Sequence, residues 1–525
     1  MNSTAIKPYP IEPITIHAHM DQTLAKSLLA SASEYSENLR GRRIWLACSG
    51  GRDSLALAAL CVQLYQQGKL SFLPQLLHVD HNLQADSQLW AAHVAGWAQA
   101  QQLSCTILQA EVKGGDEQAA RKARYQAMLA HINQGDVLLL AHHGDDQAET
   151  MLMRLMQGAG VKGLAAMQAW REQSQGARHN VLWRPWLTVR RTTISRYAEQ
   201  LQLPYIDDPT NEDGDNVRSR LRRNVMPQLT NYNSNVIENI ARSAQLLSDA
   251  AATVESQAMQ DWQQTGIEAL SLAPAQRVLA IDKLAVLPRY RQRQLLHFWL
   301  AQDEPLPPTK QLIDEVMLLI QRQDNNHQTQ LEWYAQNQRY SIRRYREQLY
   351  RLSQSWLDWL SVAPAAQTQL VSMDQDTVTI DLLKDGCMQD KRYSWQLSLS
   401  LSELASSELA SSELASSELA SLLLTKKNEL IIKVTALTRQ QKLKTQLAGQ
   451  AQSGKKLYQT LGVPLWLRES LAVMSVITTD SETTIELPLL LISPFDSWML
   501  DTGSGFNTQK FDLKTVINNN LYLNN

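Results

Sequence analysis

Residues Arg42 to Gly68 read RRIWLACSGGRDSLALAALCVQLYQQG, and this stretch decides the fold. RRIWLACS is short and apolar, the length of a strand. From Asp53 onward, Leu57, Cys61, Leu64 and Tyr65 recur at helical spacing, and Gly68 is placed to cap the helix C-terminus. A glycine pair joins strand to helix. Working downstream, FLPQLLHVDH precedes a helix over 86–102 with Leu89, His93, Trp97 and Ala100 on one side. CTILQAEV precedes a helix over 116–134, and DVLLLAHH precedes the helix DDQAETMLMRLMQG. The run DVLLLAHH is apolar enough to be a central strand buried on both faces. This alternation predicts an α/β fold, a Rossmann-like parallel sheet with helices on both sides. Ligands of such sheets bind outside the carboxyl ends of the strands. The polar residues fall there, at 49–54, 78–82 and 142–146.

Upstream, the first forty residues read as a disordered lead and then a helix from Asp21 to Leu39. The α/β domain is expected over 20–235. Residues 236–355 read as a helical middle domain with a joint at Pro305, Pro307 and Pro308. Residues 356–377 read as a linker, and 378–500 as a small α+β C-terminal domain. Within it, SELAS occurs four times over 402–421. At about 100° per residue, Leu404, Leu409, Leu414 and Leu419 would drift around a helix rather than line one face. The tract reads as a low-complexity insertion without chemistry, and the tail after Asp501 as frayed.

The chain has 525 residues, a formal charge of −2, 44% hydrophobic and 19% charged residues, which suits packed cores and about three domains. No apolar run reaches membrane-spanning length. The N-terminus lacks the apolar core of a signal peptide, so a cytoplasmic protein with no membrane partner is expected. Cys48, Cys61, Cys105 and Cys387 form no C-x-x-C pair, which argues against a zinc knuckle or an iron–sulfur site.

The loop Ser49-Gly50-Gly51-Arg52-Asp53-Ser54 has the makings of an anion cradle. Two glycines allow close backbone approach, a helix N-terminus offers free N–H groups, and two serines add hydroxyls. No G-x-x-x-x-G-K-[ST] is present, so this is not a P-loop NTPase. A plain strand–helix turn also uses glycine pairs, but the string Ser-Gly-Gly-x-Asp-Ser is more specific. It resembles the PP-loop of the ATP pyrophosphatase superfamily. That resemblance implies cleavage of ATP between the α and β phosphates, adenylation of a carbonyl oxygen, and displacement of AMP by a nucleophile.

Three further stretches narrow the resemblance: HVDHNL from His78, ARKARY from Ala120 and AHHGDDQAET from Ala141. In this order they closely resemble the tRNA(Ile)-lysidine synthetase family. RPWLTVRR from Arg184, IDDPTNEDGDNVRSRLRRNV from Ile206 and GKKLYQTLGVPLWLRESL from Gly454 continue it. Thr210 stands where the family more often has Ser, VRSRLRR departs from the usual R-N-x-I-R, and a glycine pair usual upstream of Gly454 is missing. The resemblance implies an enzyme that joins free L-lysine to C2 of the wobble cytidine in the CAU anticodon of tRNA(Ile). It implies ATP and Mg²⁺, an adenylated tRNA intermediate, and a change of identity from methionine to isoleucine.

On this reading Ser49, Gly50, Gly51, Arg52, Asp53 and Ser54 bind ATP, with His78 and His142. Asp53 and Asp146 are the catalytic and Mg²⁺-holding carboxylates, since Mg²⁺ takes hard oxygen ligands. Arg121, Arg124, Asp145 and Glu149 bind substrate; Asp145 and Glu149 are an i, i+4 pair able to face one site. The plainer alternatives stay open. Asp145 or Asp146 could cap a helix. His142 and His143 would point to opposite faces of a strand, and either could be structural. Arg121 and Arg124 could be solvated.

Three basic clusters offer a surface for tRNA: Arg218 to Arg223, Arg339 to Arg351, and Arg439 to Arg468, the last with six Lys/Arg and no Asp or Glu. Trp183, Trp186 and Trp466 could stack a base, though core packing suits most of them better. A homodimer is one oligomeric state the sequence allows. A tRNA thiolase of the same superfamily is disfavoured by the missing C-x-x-C, and a non-catalytic RNA-binding scaffold by the intact loop.

Overall fold

The computed structural model describes residues 6–80, 87–110, 117–175, 178–207, 216–266, 276–301, 304, 306–322, 329–336, 338–372, 377–381, 396–400, 429–445, 450–479, 484–494 and 497–500. Expectations for Asn82, residues 208–215, Cys387, the SELAS tract and the tail after Asp501 therefore lie outside the described residues. The chain divides into two compact units at Thr253–Val254, within a helix Val236–Thr265.

In the first unit, strands β1 (Ile44–Ala47), β2 (Gln75–Asp80), β3 (Cys105–Gln109), β4 (Val137–Leu139), β5 (Trp170–Gln175) and β6 (Arg178–Trp183) form one sheet. Its order is β3-β2-β1-β4-β6-β5, parallel except for β5, which runs antiparallel to β6. The helices are α1 (Gln22–Glu34), α2 (Ser36–Leu39), α3 (Arg52–Gln66), α4 (Ser87–Ala100), α5 (Glu117–His131), α6 (Gly144–Met156), α7 (Val161–Leu164) and α8 (Arg191–Gln200). Each expected strand–helix pair is present. The β5–β6 hairpin is an addition that the alternation did not announce.

Alternation along the strands builds two cores. Ile44, Leu46, Leu76, Val137, Leu139, Val181 and Trp183 join one core with the buried residues of α3. Trp45, Leu77, Leu138 and Leu182 point to the other, against Met128 and Leu129 of α5. β4 is central and buried throughout, as its apolar run implied. Helix α3 is buried from Ser54 to Leu64, and Tyr65, expected on its inner face, is 45% exposed. In α4 the inner residues are Ala91, Val94, Trp97 and Ala98, while Leu89 is exposed.

The lead is not disordered over its described part. Ile14 N–H donates to Gln101 Oε1 at 2.8 Å, and Gln66 Nε2 donates to the Ile14 carbonyl at 3.0 Å. These side chains satisfy backbone groups of an irregular segment that would otherwise stay wet.

The second unit is richer in strands than its helical reading anticipated. Helices Ile281–Val286, Arg289–Ala301 and Lys310–Gln321 are present. They pack on an antiparallel sheet of β7 (Gln276–Ala280), β8 (Gln330–Tyr334), β9 (Arg339–Tyr345) and β10 (Gln348–Ser353), ordered β7-β10-β9-β8. The stretch read as a linker supplies a helix Gln354–Leu360 and a strand β11 (Gln367–Ser372) instead. A two-stranded ribbon β12 (Thr377–Asp381) and β13 (Gln396–Ser400) follows. β11 then pairs with β14 (Glu429–Ala436), and after the short pair β15 (Lys442–Leu443) and β16 (Gln452–Ser453) come β17 (Ala472–Thr479), β18 (Thr484–Ile492) and β19 (Ser497–Met499). Their sheet runs β11-β14-β17-β18-β19. Gly454 starts the helix Gly454–Thr460 where an added Cβ would lie 2.4 Å from the Thr438 carbonyl oxygen.

Candidate active site

The strand order reverses at β1, which has β2 on one side and β4 on the other. The loops leaving β1 and β4 therefore flank a crevice at the carboxyl edge of the sheet. The loop from β1 carries the glycine pair. Gly50 has φ +80°, and an added Cβ would lie 2.6 Å from Ile206 Cδ1 and 2.8 Å from Val94 Cγ2. Only glycine meets both conditions. Gly51 is the N-cap of α3 and offers no side-chain cap, so the first N–H groups of a 15-residue helix are left to an anion. Ser54 Oγ donates to the Gly51 carbonyl at 3.0 Å and lies 3.3 Å from Ser49 Oγ, which fixes both hydroxyls at the loop. Arg52 is engaged by the protein. Its guanidinium lies 4.8 Å above the Tyr205 ring and donates to Ser195 Oγ at 2.9 Å.

β4 ends at Leu139, and His143 is the N-cap of α6. His143 N–H donates to Asp146 Oδ2 at 3.2 Å, one arm of a capping box. Gly144 N–H donates to the Val189 carbonyl at 2.7 Å, and an added Cβ would lie 3.0 Å from that oxygen. The buried His143 ring is ringed by carboxylates. Nε2 is 3.6 Å from Asp53 Oδ2 and 3.4 Å from Asp146 Oδ2, and Nδ1 is 3.8 Å from Asp145 Oδ2. Burial opposes its proton, but Asp146, Asp53 and Asp145 outweigh burial and raise the ring to about 9. Burial likewise opposes the Asp146 charge, and His143, His142 and Arg218 overcome it, holding this carboxyl well below the usual range.

Asp53 and Asp146, expected to act together, thus meet at one ring nitrogen, His143 Nε2. Asp53 Oδ1 is buried and has no hydrogen-bond partner, an oxygen suited to a hard cation. Among the described residues no group of three or more His, Cys, Asp or Glu could hold a metal ion. A cation here would draw two carboxylates from the protein and its remaining ligands from phosphate and water, as Mg²⁺ does.

His142 belongs to a separate, cationic corner. Its Nε2 is 3.5 Å from Arg121 Nη2. Burial, aided by Arg184 and Arg121 against the pull of Asp146, lowers its ring to about 3, so it is neutral. Arg121 also lies 5.4 Å from the Tyr125 ring centroid, on the same helix as Arg124. His78 is buried, and its Nδ1 is 2.9 Å from the Cys48 carbonyl oxygen. Burial lowers its pKa, and the Nδ1 contact ties β2 to the end of β1.

Asp145 and Glu149 do face one cavity of about 350 Å³, which Arg191, Arg222 and Met226 also line. Asp145 Oδ2 accepts from Arg191 N–H at 2.8 Å and lies 3.4 Å from Arg190 Nε. Glu149 is only 2% exposed. Arg222 holds it through Nε and Nη2 at 2.8 and 2.9 Å, and Arg218 Nε lies 3.0 Å away. The sequence left the role of His143 open and offered Arg218 and Arg222 only as members of a basic cluster for tRNA. The available signals were a residue three before Asp146 in a capping pattern and the density of arginine in VRSRLRR. Trp183 and Trp186 are fully buried and donate to Ser31 Oγ and the Leu24 carbonyl, so they are core. Trp466 is buried against Tyr350.

A family model described as the PP-loop domain matches residues 20–229, and one described as the TilS substrate binding domain matches 279–350. The tRNA(Ile)-lysidine synthase of Psychrobacter sp. is 38% identical over 513 residues, 91% of this chain and 95% of that protein. The protein of the same name from Acinetobacter baylyi is 33% identical, over 59% of this chain and 63% of that one. Among solved structures, the U34-tRNA thiolase NcsA from Methanococcus maripaludis aligns at 17% identity with a TM-score of 0.35, over 44% of this chain and 82% of that one. A match at this identity along nearly the whole of both chains, joined to a PP-loop at a sheet crevice, places the chain in the tRNA(Ile)-lysidine synthase family.

Proposed function

We propose that this ATP-using, tRNA-modifying ligase joins free L-lysine to the wobble cytidine of the CAU-anticodon tRNA(Ile). The cytidine O2 attacks the α-phosphorus of ATP, and pyrophosphate leaves. The lysine ε-amine then attacks C2, loses a proton, and AMP departs, leaving lysidine. The modified base would read as isoleucine in place of methionine. The observation that carries this reading is the meeting of Asp53 and Asp146 beside an uncapped helix N-terminus and a glycine pair.

In this reading Ser49, Gly50, Gly51 and Ser54 cradle the pyrophosphate. Asp53 and Asp146 would hold Mg²⁺, which when bound would neutralise charge on the triphosphate. The neutral His142 with the nearby Arg121, and Arg124 on the same helix as Arg121, are suited to polar and phosphate groups of nucleotide or tRNA. Asp145 and Glu149, with the arginines paired to them, line the neighbouring cavity, where the charged ends of a free amino acid would exchange with these pairs. A homodimer would appear in light scattering as about twice the 59.3 kDa chain mass.

The test is to incubate the protein with labelled lysine, ATP and bulk tRNA, and to follow label in tRNA together with AMP. Lysine-dependent label with stoichiometric AMP is the expected result. Transfer that ignores lysine, or that needs a sulfur donor, would overturn the reading. Asp53→Ala should abolish AMP formation while the melting curve stays cooperative.

A further inference from the structure

The phosphate loop is backed by a segment far away in sequence. Ile206 N–H donates to the Gly50 carbonyl at 2.8 Å, and Ile206 Cδ1 fills the space a Gly50 side chain would need. Ile206 bridges Gly51 in parallel and Ile6 in antiparallel fashion, so it is the middle rung of three short extended pieces. Lys7 N–H donates to the Tyr205 carbonyl at 3.0 Å, and Lys7 Nζ is 3.5 Å from Asp207 Oδ2. From the loop itself, Arg52 lies over the Tyr205 ring and donates to Ser195. The loop's variable position is therefore its tie to this backing.

A glycine pair is the costliest kind of backbone to order, because each glycine has more conformations to lose than any other residue. If the loop were ordered only by phosphate, that cost would be subtracted from ATP affinity. Here a backbone hydrogen bond, a side chain in van der Waals contact and a cation over a ring hold it from the protein side. We propose that Tyr205–Ile206, strapped by Ile6–Lys7 and gripped by Arg52, is the positioning element that holds the phosphate loop ready for ATP. Ile206 and Arg52 are positioning residues that act through Gly50 and Gly51. Arg52 then serves ATP binding without touching the nucleotide.

The inference rests on ATP use alone, so the probe is ATP without lysine or tRNA, and the outcome does not depend on which nucleophile is joined. Titration calorimetry of the full chain would compare wild type with Ile206→Ala, Ile206→Val and Arg52→Ala, with a melting curve for each. Ile206→Ala should weaken ATP binding about tenfold and Arg52→Ala about threefold, while Ile206→Val, which removes only the Cδ1 methyl beside Gly50, should fall between wild type and Ile206→Ala. Melting temperatures of the variants should stay well above the assay temperature, so that the loss lies in affinity and not in folded fraction. ATP affinity within about twofold of wild type in both alanine variants would overturn the proposal. So would a loss that vanishes once affinity is corrected for the folded fraction. Should Ile206→Ala not fold, Arg52→Ala decides, because its half-buried side chain lies outside the core.

Discussion

Asp146 carries two duties in one side chain. It accepts the His143 backbone N–H at the start of α6, and it faces the His143 ring with Asp53. Asparagine can keep the first duty, since its side-chain oxygen still accepts, but not the second. Asp146→Asn should lower AMP formation by about 100-fold or more, and should cost about 1–3 kcal/mol of stability because the buried His143 ring loses a charged partner. AMP release within tenfold of wild type would remove Asp146 from the catalytic set. The cysteines make a second prediction at this scale. Burial pushes the Cys48 and Cys61 thiols up to about 12 and the half-buried Cys105 thiol to about 11, so all three are protonated at neutral pH. Since the thiolate is the reactive form, iodoacetamide at pH 8 should leave Cys48 and Cys61 unlabelled in the folded protein and modify them after denaturation, as read by mass spectrometry. Rapid native labelling of Cys48 would show that the end of β1 opens. That Asp53 and Asp146 would meet was legible from the sequence, because both follow strands of one parallel sheet at its carboxyl edge. His143 was not, because DVLLLAHH reads as one unbroken strand. In the structure β4 ends at Leu139, His143 caps α6, and Gly144 N–H reaches the Val189 carbonyl, a contact that no local pattern encodes.

Helix α6 depends on that contact as an element. Its N-terminus supplies His143, Asp145, Asp146 and Glu149, and it is docked by the Gly144–Val189 hydrogen bond and the His143–Trp186 bridge. A methyl at Gly144 would press on the Val189 carbonyl, and the displaced segment carries Arg190 and Arg191, which hold Asp145. Gly144→Ala should cost about 1–3 kcal/mol, read as a lower denaturation midpoint, and should impair turnover beyond what the lost stability explains. An unchanged midpoint would mean the helix start is looser than its packing indicates. The parallel sheet was legible at this scale because buried strands between amphipathic helices leave a strong pattern. β9 was not. In Arg339-Tyr340-Ser341-Ile342-Arg343-Arg344-Tyr345 the consecutive Tyr340, Ser341 and Ile342 are all buried, and the arginines flanking them dominate the reading as a charged surface. Within the Arg339–Arg351 cluster several arginines are engaged by the protein itself. Arg351 is fully buried and donates to the Leu300 carbonyl, Arg343 lies 5.4 Å from the Trp466 ring centroid, and Arg339 pairs with Glu332 at 2.9 Å.

At the scale of the whole molecule, a chain of net charge −2 must still approach a polyanion. The charge that remains for this is fewer groups than the sequence clusters imply. In the Arg218–Arg223 cluster, Arg218 and Arg222 are committed to Glu149. In the C-terminal cluster the balance differs. Lys442, Lys455 and Lys456 are exposed, and the ion pair of Arg439 with Glu469 is itself solvated at 3.7 Å. Solvated pairs are worth little and separate readily, so this face keeps its cations for a partner. Taking away one lysine–phosphate pairing lowers the number of counterions released on binding by roughly one, and the salt dependence falls with it. Lys455→Glu with Lys456→Glu should therefore raise the KM for tRNA about tenfold near 50 mM salt, and flatten its salt dependence by about two in logarithmic slope. ATP affinity, set in the first unit, should not change. The two enzymes should converge as salt rises, because screening erases for wild type what the substitution removed. A KM for tRNA that is equal in wild type and variant at low salt, or a wild-type KM flat across the salt series, would show that the helix Gly454–Thr460 is a solvated face with no part in holding tRNA.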